Sequence, residues 1–237
     1  MPFECVSRTD VGLRRKVNED SMLVRTERGL WAVADGMGGH EAGDVASSKT
    51  TEALRNLPIV YSLDELVECA VASLKKVNRE LIELAGPGDD RRTIGSTVVG
   101  LAVAQGEYRC FWAGDSRGYR VRDGKIERLT IDHSLVQNLV AAGMLDPAEA
   151  EHHPNANIIT RAVGVAEELN LDIASGDAIA GDQFLLASDG LTRLIDDQEL
   201  LSELASGNPA EAAERLLETS LARGAPDNVT MIIVKLT

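Results

Sequence analysis

Histidine and cysteine are scarce in this sequence, which has four His and three Cys among its 237 residues. The cysteines are odd in number and far apart, which favours free thiols in a reducing compartment over a disulfide framework. A zinc site could draw on His133, His152 and His153, but no partner Cys or His stands at ligand spacing. We therefore expect His133 and His152 to be surface or packing residues.

Basic residues are also few, since 24 Lys and Arg stand against 38 Asp and Glu and leave a net charge of −14. Nucleic acids and anionic membranes are bound through basic patches, so this balance argues against both as partners. No apolar run approaches the roughly 18 residues that a membrane-spanning helix needs. Residues 1–4 lack the pattern of a secretion signal, and a cytoplasmic location is expected.

No internal repeat, low-complexity tract or long linker divides the chain. Hydrophobic residues make up 44% of it, although aromatic residues make up only 3%. That composition is sufficient for a sizeable core at this length. We therefore predict a single domain over residues 1–237.

Aspartates mark the ends of the most apolar segments. Three runs that are typical of buried strands lead into Asp35, Asp115 and Asp189. The fourth case is inverted, because Asp227 precedes the apolar run 229–234. An aspartate at the start of one strand meets aspartates at the ends of others only if the strands are antiparallel. The sequence thus predicts four carboxylates along one edge of the core.

Such a cluster of carboxylates would repel itself and raise its own pKa values unless cations lay among them. Ligands that are all oxygen favour hard divalent ions, Mg²⁺ or Mn²⁺, over zinc. Other site patterns fail: Glu41 stands where a dinucleotide-binding glycine motif needs glycine, and no Gly-x-Ser-x-Gly turn presents a nucleophile. A plain glycine-rich turn after the strand that ends at Asp35 stays open as an alternative.

The remaining patterns predict an α+β fold with sheets flanked by helices. Strand patterns between residues 97 and 129, separated by tight turns, predict an antiparallel meander rather than a doubly wound parallel sheet. A helix begins at Ser62, with Glu65 completing a capping box. Residues 132–164 are irregular and look like an insertion carried on the sheet. Further helices are predicted over residues 44–57, 197–204 and 209–222.

Five short motifs occur together and in order. They are Arg15-x-x-Asn18-Glu19-Asp20, Asp35-Gly36-Met37-Gly38-Gly39-His40, Gly114-Asp115-Ser116-Arg117, Ser188-Asp189-Gly190-Leu191 and Asp227-Asn228-Val229-Thr230. On these motifs the chain resembles the bacterial type-2C, metal-dependent Ser/Thr protein phosphatases, from about Ser7 to Val234. The segment 132–164 is similar to the flap of that family.

The resemblance implies a four-layer αββα sandwich, two stacked antiparallel sheets between helical layers. It also implies two tightly bound Mn²⁺ or Mg²⁺ ions and a weaker third. Asp35 would bridge the two tight ions, with the carbonyl of Gly36 on one of them. Asp189 and Asp227 would bind the other, and Asp20 would contact metal through water.

The resemblance further implies roles for Asp115, Asp189 and Arg15 around these ions. Asp115 together with Asp189 would hold the weaker third ion. Arg15 would bind the substrate phosphate, for which a planar bidentate guanidinium is suited. A water bridging two metal ions would attack phosphorus. His40, the nearest histidine in the sequence, is our candidate for the acid that protonates the leaving alkoxide.

The implied activity is removal of phosphate from serine and threonine of phosphorylated proteins, opposing a bacterial Ser/Thr kinase and its substrates. A monomer is expected, because no coiled-coil seam is visible. Two alternatives stay open. One is a pseudophosphatase that acts as a regulatory binding module, and the other is a metal-dependent hydrolase of small phosphoesters.

Overall fold

The computed structural model describes residues 2–38, 42–87, 93–150 and 153–237. The strands are β1 Phe3–Asp10, β2 Asp20–Arg25, β3 Leu30–Met37, β4 Gly95–Ser96, β5 Val98–Ala104, β6 Glu107–Ala113, β7 Arg117–Arg122, β8 Lys125–Arg128, β9 Asp172–Asp177, β10 Gln183–Ala187 and β11 Val229–Leu236. The helices are α1 Ala42–Arg55, α2 Leu63–Ala85, α3 Leu135–Ala141, α4 Pro147–Ala150, α5 Asp189–Thr192, α6 Asp197–Leu204 and α7 Pro209–Ala222, with a 3-10 turn at Thr26–Arg28.

These strands form two sheets in which neighbours are antiparallel. The first sheet has the order β1-β11-β10-β7-β8, and the second has the order β2-β3-β5-β6-β9 with β4 also paired to β3. The predicted single meander between residues 97 and 129 is wrong. Strands β5 and β6 form a hairpin in the second sheet and β7 and β8 one in the first, because the chain crosses between sheets at residues 114–116.

Alternation along the strands divides the core into three layers of side chains. Trp31 and Val33 of β3 point into the space between the sheets, where they meet side chains such as Phe184 of β10. Leu30 and Ala32, on the opposite face of β3, pack beneath α1 and α2. The outer face of the first sheet is covered in the same way by α5, α6 and α7. The predicted four-layer αββα sandwich is confirmed, and strands covered on both faces explain the continuous apolar runs.

Helix α2 begins where the sequence predicted. The Ser62 side chain accepts a hydrogen bond from the Glu65 backbone N–H at 3.1 Å. The capping box is incomplete, because the Glu65 carboxylate accepts from Tyr61 N–H rather than from Ser62. Among the described residues, no helix combines the length and apolarity that crossing a bilayer requires. The predicted apolar face is buried throughout: Leu63, Leu66, Val67, Ala70, Leu74, Val77 and Leu81.

The irregular segment 132–164, called the flap segment below, carries α3 and α4 and is fastened at both ends. At its start, Asp132 forms an ion pair with Arg117 of β7 at 2.8 Å. At its end, Val163 and Ser96 exchange backbone hydrogen bonds of 2.9 Å. The segment is therefore joined to both sheets beside the strand ends that carry the predicted site.

Candidate functional site

The antiparallel register brings the predicted carboxylates together. Asp20 and Asp35 lie directly opposite each other on β2 and β3, a position in which side chains on the same face are neighbours. Asp189 follows β10, and Asp227 precedes β11, the neighbour of β10. Asp115 lies on the turn between β6 and β7. Strand patterns thus placed Asp35, Asp115, Asp189 and Asp227 at a common edge, and the family resemblance added Asp20; the roles of all five as ligands stay predictions.

Burial and mutual repulsion raise the pKa values of four of these aspartates, Asp20, Asp35, Asp115 and Asp189. For Asp35, burial is the largest cause and the charge of Asp189 is the next, and the pKa lies well above its ordinary range. Burial likewise raises the pKa of Asp20 and of Asp115 to about 7, and it raises that of Asp189. Carboxylates so placed favour a nearby cation, which would stabilise their ionised forms.

Three oxygens of the cluster lack any partner. Oδ1 of Asp20, Oδ1 of Asp115 and Oδ1 of Asp189 are buried without a hydrogen bond. A buried, unpaired carboxylate oxygen is costly, and hard divalent cations bind such oxygens. Within the described ranges, no three Asp, Glu, His or Cys side chains close into a complete metal-binding group. The donor set fits Mg²⁺ or Mn²⁺ that also takes water or a backbone carbonyl, as Mg²⁺ commonly does.

Arg15 lies beside Asp227, at the exposed rim of the cluster. Its guanidinium donates to Asp227 Oδ2 at 2.7 Å and lies 3.9 Å from Glu19 Oε2, while about half of the Arg15 side chain is exposed. A half-exposed arginine at the rim of a carboxylate cluster is available to an incoming anion. The prediction that Arg15 binds phosphate stays a prediction, and the structure places the residue beside the site.

Asn228 holds the Arg15 loop to the strand that carries Asp227. Its Oδ1 accepts from Glu19 N–H at 2.8 Å, and its Nδ2 donates to the carbonyls of Val11 and Val17 at 2.9 and 3.1 Å. Sequence reasoning gave Asn228 no role, although its place next to Asp227 was a usable signal. One amide thus fixes the distance between the predicted phosphate-binding loop and a predicted metal ligand.

Thr97 connects Asp35 with the turn that carries Asp115. The Asp35 backbone N–H donates to Thr97 Oγ1 at 3.0 Å, and the same hydroxyl lies 2.6 Å from Ser116 Oγ. Gly36 follows in a tight space, because a Cβ there would meet the carbonyl oxygen of Gly43 at 2.0 Å. Only glycine fits, which explains the Asp-Gly pair. The predicted binding of metal by the Gly36 carbonyl stays untested.

The two histidine predictions have different outcomes. His40 lies outside the described residues, so its proposed role as general acid stays a prediction; His152 also lies outside them. His133 is buried, stacks on Trp112 with ring centroids 6.0 Å apart, and accepts from Gly114 N–H through Nδ1 at 3.1 Å. Burial lowers its pKa. Its predicted packing role is confirmed, and it supports the turn that carries Asp115.

Arg193 is a site residue that sequence reasoning missed. Its guanidinium contacts Asp189 Oδ2 at 2.9 Å and Asp115 Oδ2 at 3.1 Å. Residue 193 directly follows the short helix α5, whose four residues Asp189–Thr192 were not predicted as helical. The spacing of four residues between Asp189 and Arg193 was the available signal, since it brings side chains together on one helical turn.

Comparisons of sequence agree with this site. A family model described as Protein phosphatase 2C matches residues 14–224. The chain is 37% identical over 227 residues to the serine/threonine protein phosphatase PstP of Mycobacterium tuberculosis, covering 96% of this chain but 44% of that protein. It is 35% identical to the protein phosphatase PhpP of Streptococcus pneumoniae, covering 96% of this chain and 95% of that protein. The chain therefore spans less than half the length of PstP.

Comparisons of structure give the same result. PppA, described as a key regulatory component of T6SS in Pseudomonas aeruginosa, superposes with a TM-score of 0.92 at 43% identity, over 100% of this chain and 99% of PppA. The PstP catalytic domain, solved in complex with two manganese ions, superposes with a TM-score of 0.87 at 35% identity, over 98% of this chain and 97% of that one. The chain belongs to the protein phosphatase 2C family, as the five motifs indicated.

Proposed function

We propose that this chain is a metal-dependent protein phosphatase that hydrolyses phosphoserine and phosphothreonine. The observation that carries the proposal is the convergence of five buried or half-buried aspartates, three with an unpartnered oxygen, beside a half-exposed arginine. Family membership supports it, because the relatives PstP and PhpP are named as protein phosphatases. Since the chain covers less than half of PstP, the proposal concerns these 237 residues.

Each side chain has a part that its placement supports. Asp35, Asp189 and Asp227 would hold two Mn²⁺ or Mg²⁺ ions together with the Gly36 carbonyl, and Asp20 would act through water. Bound metal supplies an activated water and stabilises negative charge on phosphoryl oxygens. Asp20 is held in place by Ser188, whose Oγ donates to Asp20 Oδ2 at 2.8 Å.

The phosphate would be held from the open side of the site. Arg15 presents a guanidinium at the rim, 2.7 Å from Asp227, and a planar guanidinium can donate two parallel hydrogen bonds to a phosphoryl group. To do so it has to leave Asp227, which then becomes free to bind metal. His40 is retained as the proposed acid for the leaving alkoxide.

The proposed setting follows the sequence-based expectation. Residues 1–237 would form one catalytic domain, with the flap segment beside its active site. The partners would be phosphorylated proteins, among them a Ser/Thr kinase and its substrates, and the chain would act in the cytoplasm as a monomer. The net charge of −14 supports the exclusion of nucleic acid from this set.

The test is hydrolysis of phosphothreonine and phosphoserine peptides by metal-free protein, by the same protein with added Mn²⁺ or Mg²⁺, and after chelation. We expect turnover only with metal. An aryl phosphate and a phosphodiester, assayed in parallel, separate a protein phosphatase from a hydrolase of small phosphoesters. Full turnover without metal would contradict the proposal, whereas metal binding without hydrolysis of any substrate would favour the regulatory binding module.

A further inference from the structure

Arg193 joins three separate parts of the molecule. Through Nη2 it contacts one oxygen each of Asp115 and Asp189, at 3.1 and 2.9 Å. Through Nη1 it donates to the side chain of Asn157 in the flap segment. The arginine is about one-third exposed, whereas the side chains of Asp115 and Asp189 are 5% and 16% exposed. A single guanidinium therefore pairs with two carboxylates and also contacts the flap segment.

Arg193 contacts only one of the two oxygens of each carboxylate. The bonded atoms are the Oδ2 oxygens, while Oδ1 of Asp115 and Oδ1 of Asp189 are buried without a partner. A divalent cation that bound these oxygens would lie within a few ångströms of the guanidinium. Because like charges at such distances repel each other, the guanidinium would weaken binding of the cation. Arginine and metal therefore compete for the same pair of carboxylates.

The molecule has space for the arginine to leave. A cavity of about 300 Å³ lies between the site and the flap segment, and Arg193 lines it together with Val136, Val140 and Pro147. The aliphatic part of the arginine side chain can rest against these apolar groups while the charged end turns toward water. Departure from the carboxylates also moves the guanidinium away from Asn157. A single movement of Arg193 would therefore free the Asp115 and Asp189 carboxylates and the flap segment together.

We propose that Arg193 is a built-in counter-cation of the Asp115–Asp189 corner, which weakens binding of a third metal ion there and couples its entry to release of the flap segment at Asn157. The inference rests on the proposed function, since it assumes that the site takes divalent ions. It goes further by giving a regulatory part to a residue outside the five motifs. In the metal-free protein Arg193 occupies the Asp115–Asp189 corner, and a rising metal concentration displaces it from there.

The test compares Arg193→Ala, Arg193→Lys and Arg161→Ala with the unaltered chain. Mn²⁺ binding is measured by calorimetry, and amide hydrogen exchange of the flap segment is measured without metal and at saturating Mn²⁺. Arg161 is the control for the calorimetry, because its side chain is also 36% exposed and pairs at 2.6 Å with Asp172 rather than with one of the five aspartates. Since Arg161 belongs to the flap segment, Arg161→Ala is not used as a control for hydrogen exchange. Both readouts report on the full chain and need no turnover.

We expect Arg193→Ala to bind the weakest Mn²⁺ ion about tenfold more tightly, with a smaller gain for the tight ion that Asp189 would bind, and Arg193→Lys to fall between. Without metal, exchange around Asn157 should be faster in Arg193→Ala, and Mn²⁺ should speed it only in chains that keep Arg193. Arg161→Ala should leave the weak affinity unchanged.

Three outcomes would overturn the inference. One is an unchanged affinity for the weak ion in Arg193→Ala, and another is an equal gain in Arg161→Ala. The third is flap exchange that responds to neither Arg193 nor Mn²⁺. Should no Mn²⁺ bind to any variant, both this inference and the proposed function fail, whereas two tight ions without the Arg193 effect would contradict the inference alone.

Discussion

The central carboxylates, Asp20, Asp35, Asp189 and Asp227, differ from Asp115 in what holds them. Asp20 and Asp35 face each other across paired strands, and Ser188 ties Asp20 to the neighbouring sheet at 2.8 Å. Asp115 instead lies on the turn by which the chain changes sheet. The difference teaches that one site can contain a part fixed by sheet register and a part held by the contacts of a turn.

The two parts also differ in the arginine that neutralises them. Arg15 approaches Asp227 at the centre from an exposed loop and is expected to exchange that carboxylate for phosphate. Arg193 lies at the end of α5, contacts Asp115 and connects it with the flap segment. Loss of a ligand at the centre should therefore remove the metal site, whereas loss of Asp115 should affect one weaker ion.

The largest effect is expected when the centre and Asp115 are compared directly. Asp35→Ala and Asp227→Ala should lose tight metal binding and activity together, by about a thousandfold or more in kcat, because each removes a proposed direct ligand. Asp115→Ala should retain two tightly bound ions but turn over phosphopeptide far more slowly. Metal titration by calorimetry beside kinetics measures both properties.

Asp177→Ala is the matched control for these variants, since Asp177 is 65% exposed and pairs with Arg122 away from the site. It should change neither property. If Asp115→Ala also empties the two tight sites, the distinction between centre and corner is wrong.

A smaller effect is expected for the arginine of the centre. Arg15→Ala should lower kcat/KM on a phosphopeptide about 10- to 150-fold, the equivalent of about 1.5–3 kcal/mol for a charge-assisted bidentate contact. Folding should be nearly unaffected, because the residue lies in an exposed loop.

The neighbouring exposed Arg14 provides the control, and Arg14→Ala should leave kcat/KM within about twofold. Thermal unfolding of both variants checks that the loop change is local. An unchanged kcat/KM in Arg15→Ala would show that Arg15 is only a solvated residue of the turn.

The centre could be predicted from sequence because its aspartates are attached to the ends of strands. A buried strand has a continuous apolar pattern, and an antiparallel partner reverses its direction, so the positions of Asp35, Asp189 and Asp227 follow from local patterns. The same reasoning gave sheets flanked by helices, since apolar faces at helical spacing need a sheet to cover, whereas the four-layer arrangement came from the family resemblance.

The rest depended on information that local patterns do not contain. Strand patterns cannot show that β6 and β7 belong to different sheets, because a tight turn and a crossing have similar composition. The contacts of Arg193 span 78 residues to Asp115 and 36 to Asn157. Only the packing of α5 against β10 and β11 of the first sheet, beside the turn of Asp115 and the flap segment, creates that neighbourhood. The site was thus predictable where it is built from backbone register and not where side chains meet across layers.

An effect smaller than that of Arg15→Ala is expected from exchange of the flap segment, which lies next to Asp115. Exchange of residues 132–164 for those of a relative should change preference among phosphopeptides by several-fold, with less effect on a small aryl phosphate, because loops beside a site contact the larger substrate. Relative kcat/KM values on a peptide panel measure this. Equal changes for peptides and the aryl phosphate would refute it.

The smallest effect is a pH dependence that the centre and Asp115 share. Burial raises the pKa of Asp20 and Asp115 to about 7, so between about pH 4 and pH 7 the folded state holds more protons than the unfolded state. Stability must then fall as pH rises through this range. The lowered pKa of His133 has the opposite effect on stability, since the folded state holds fewer protons on that ring. His133 is one group, however, and several carboxylates act in the other direction.

We therefore expect the Tm of metal-free protein to fall by roughly 5 °C from pH 5.5 to pH 7.5. Saturating Mn²⁺ should raise Tm most at pH 7.5, because the cation binds the ionised carboxylates of the folded state. Asp20→Asn and Asp115→Asn should each reduce the slope, and Asp177→Asn, at an exposed position, should leave it unchanged. Asp20→Asn tests the centre and Asp115→Asn the corner, so unequal reductions would show which part carries more of the unneutralised charge. A Tm that rises with pH in metal-free protein would mean that Arg15 and Arg193 already compensate both parts.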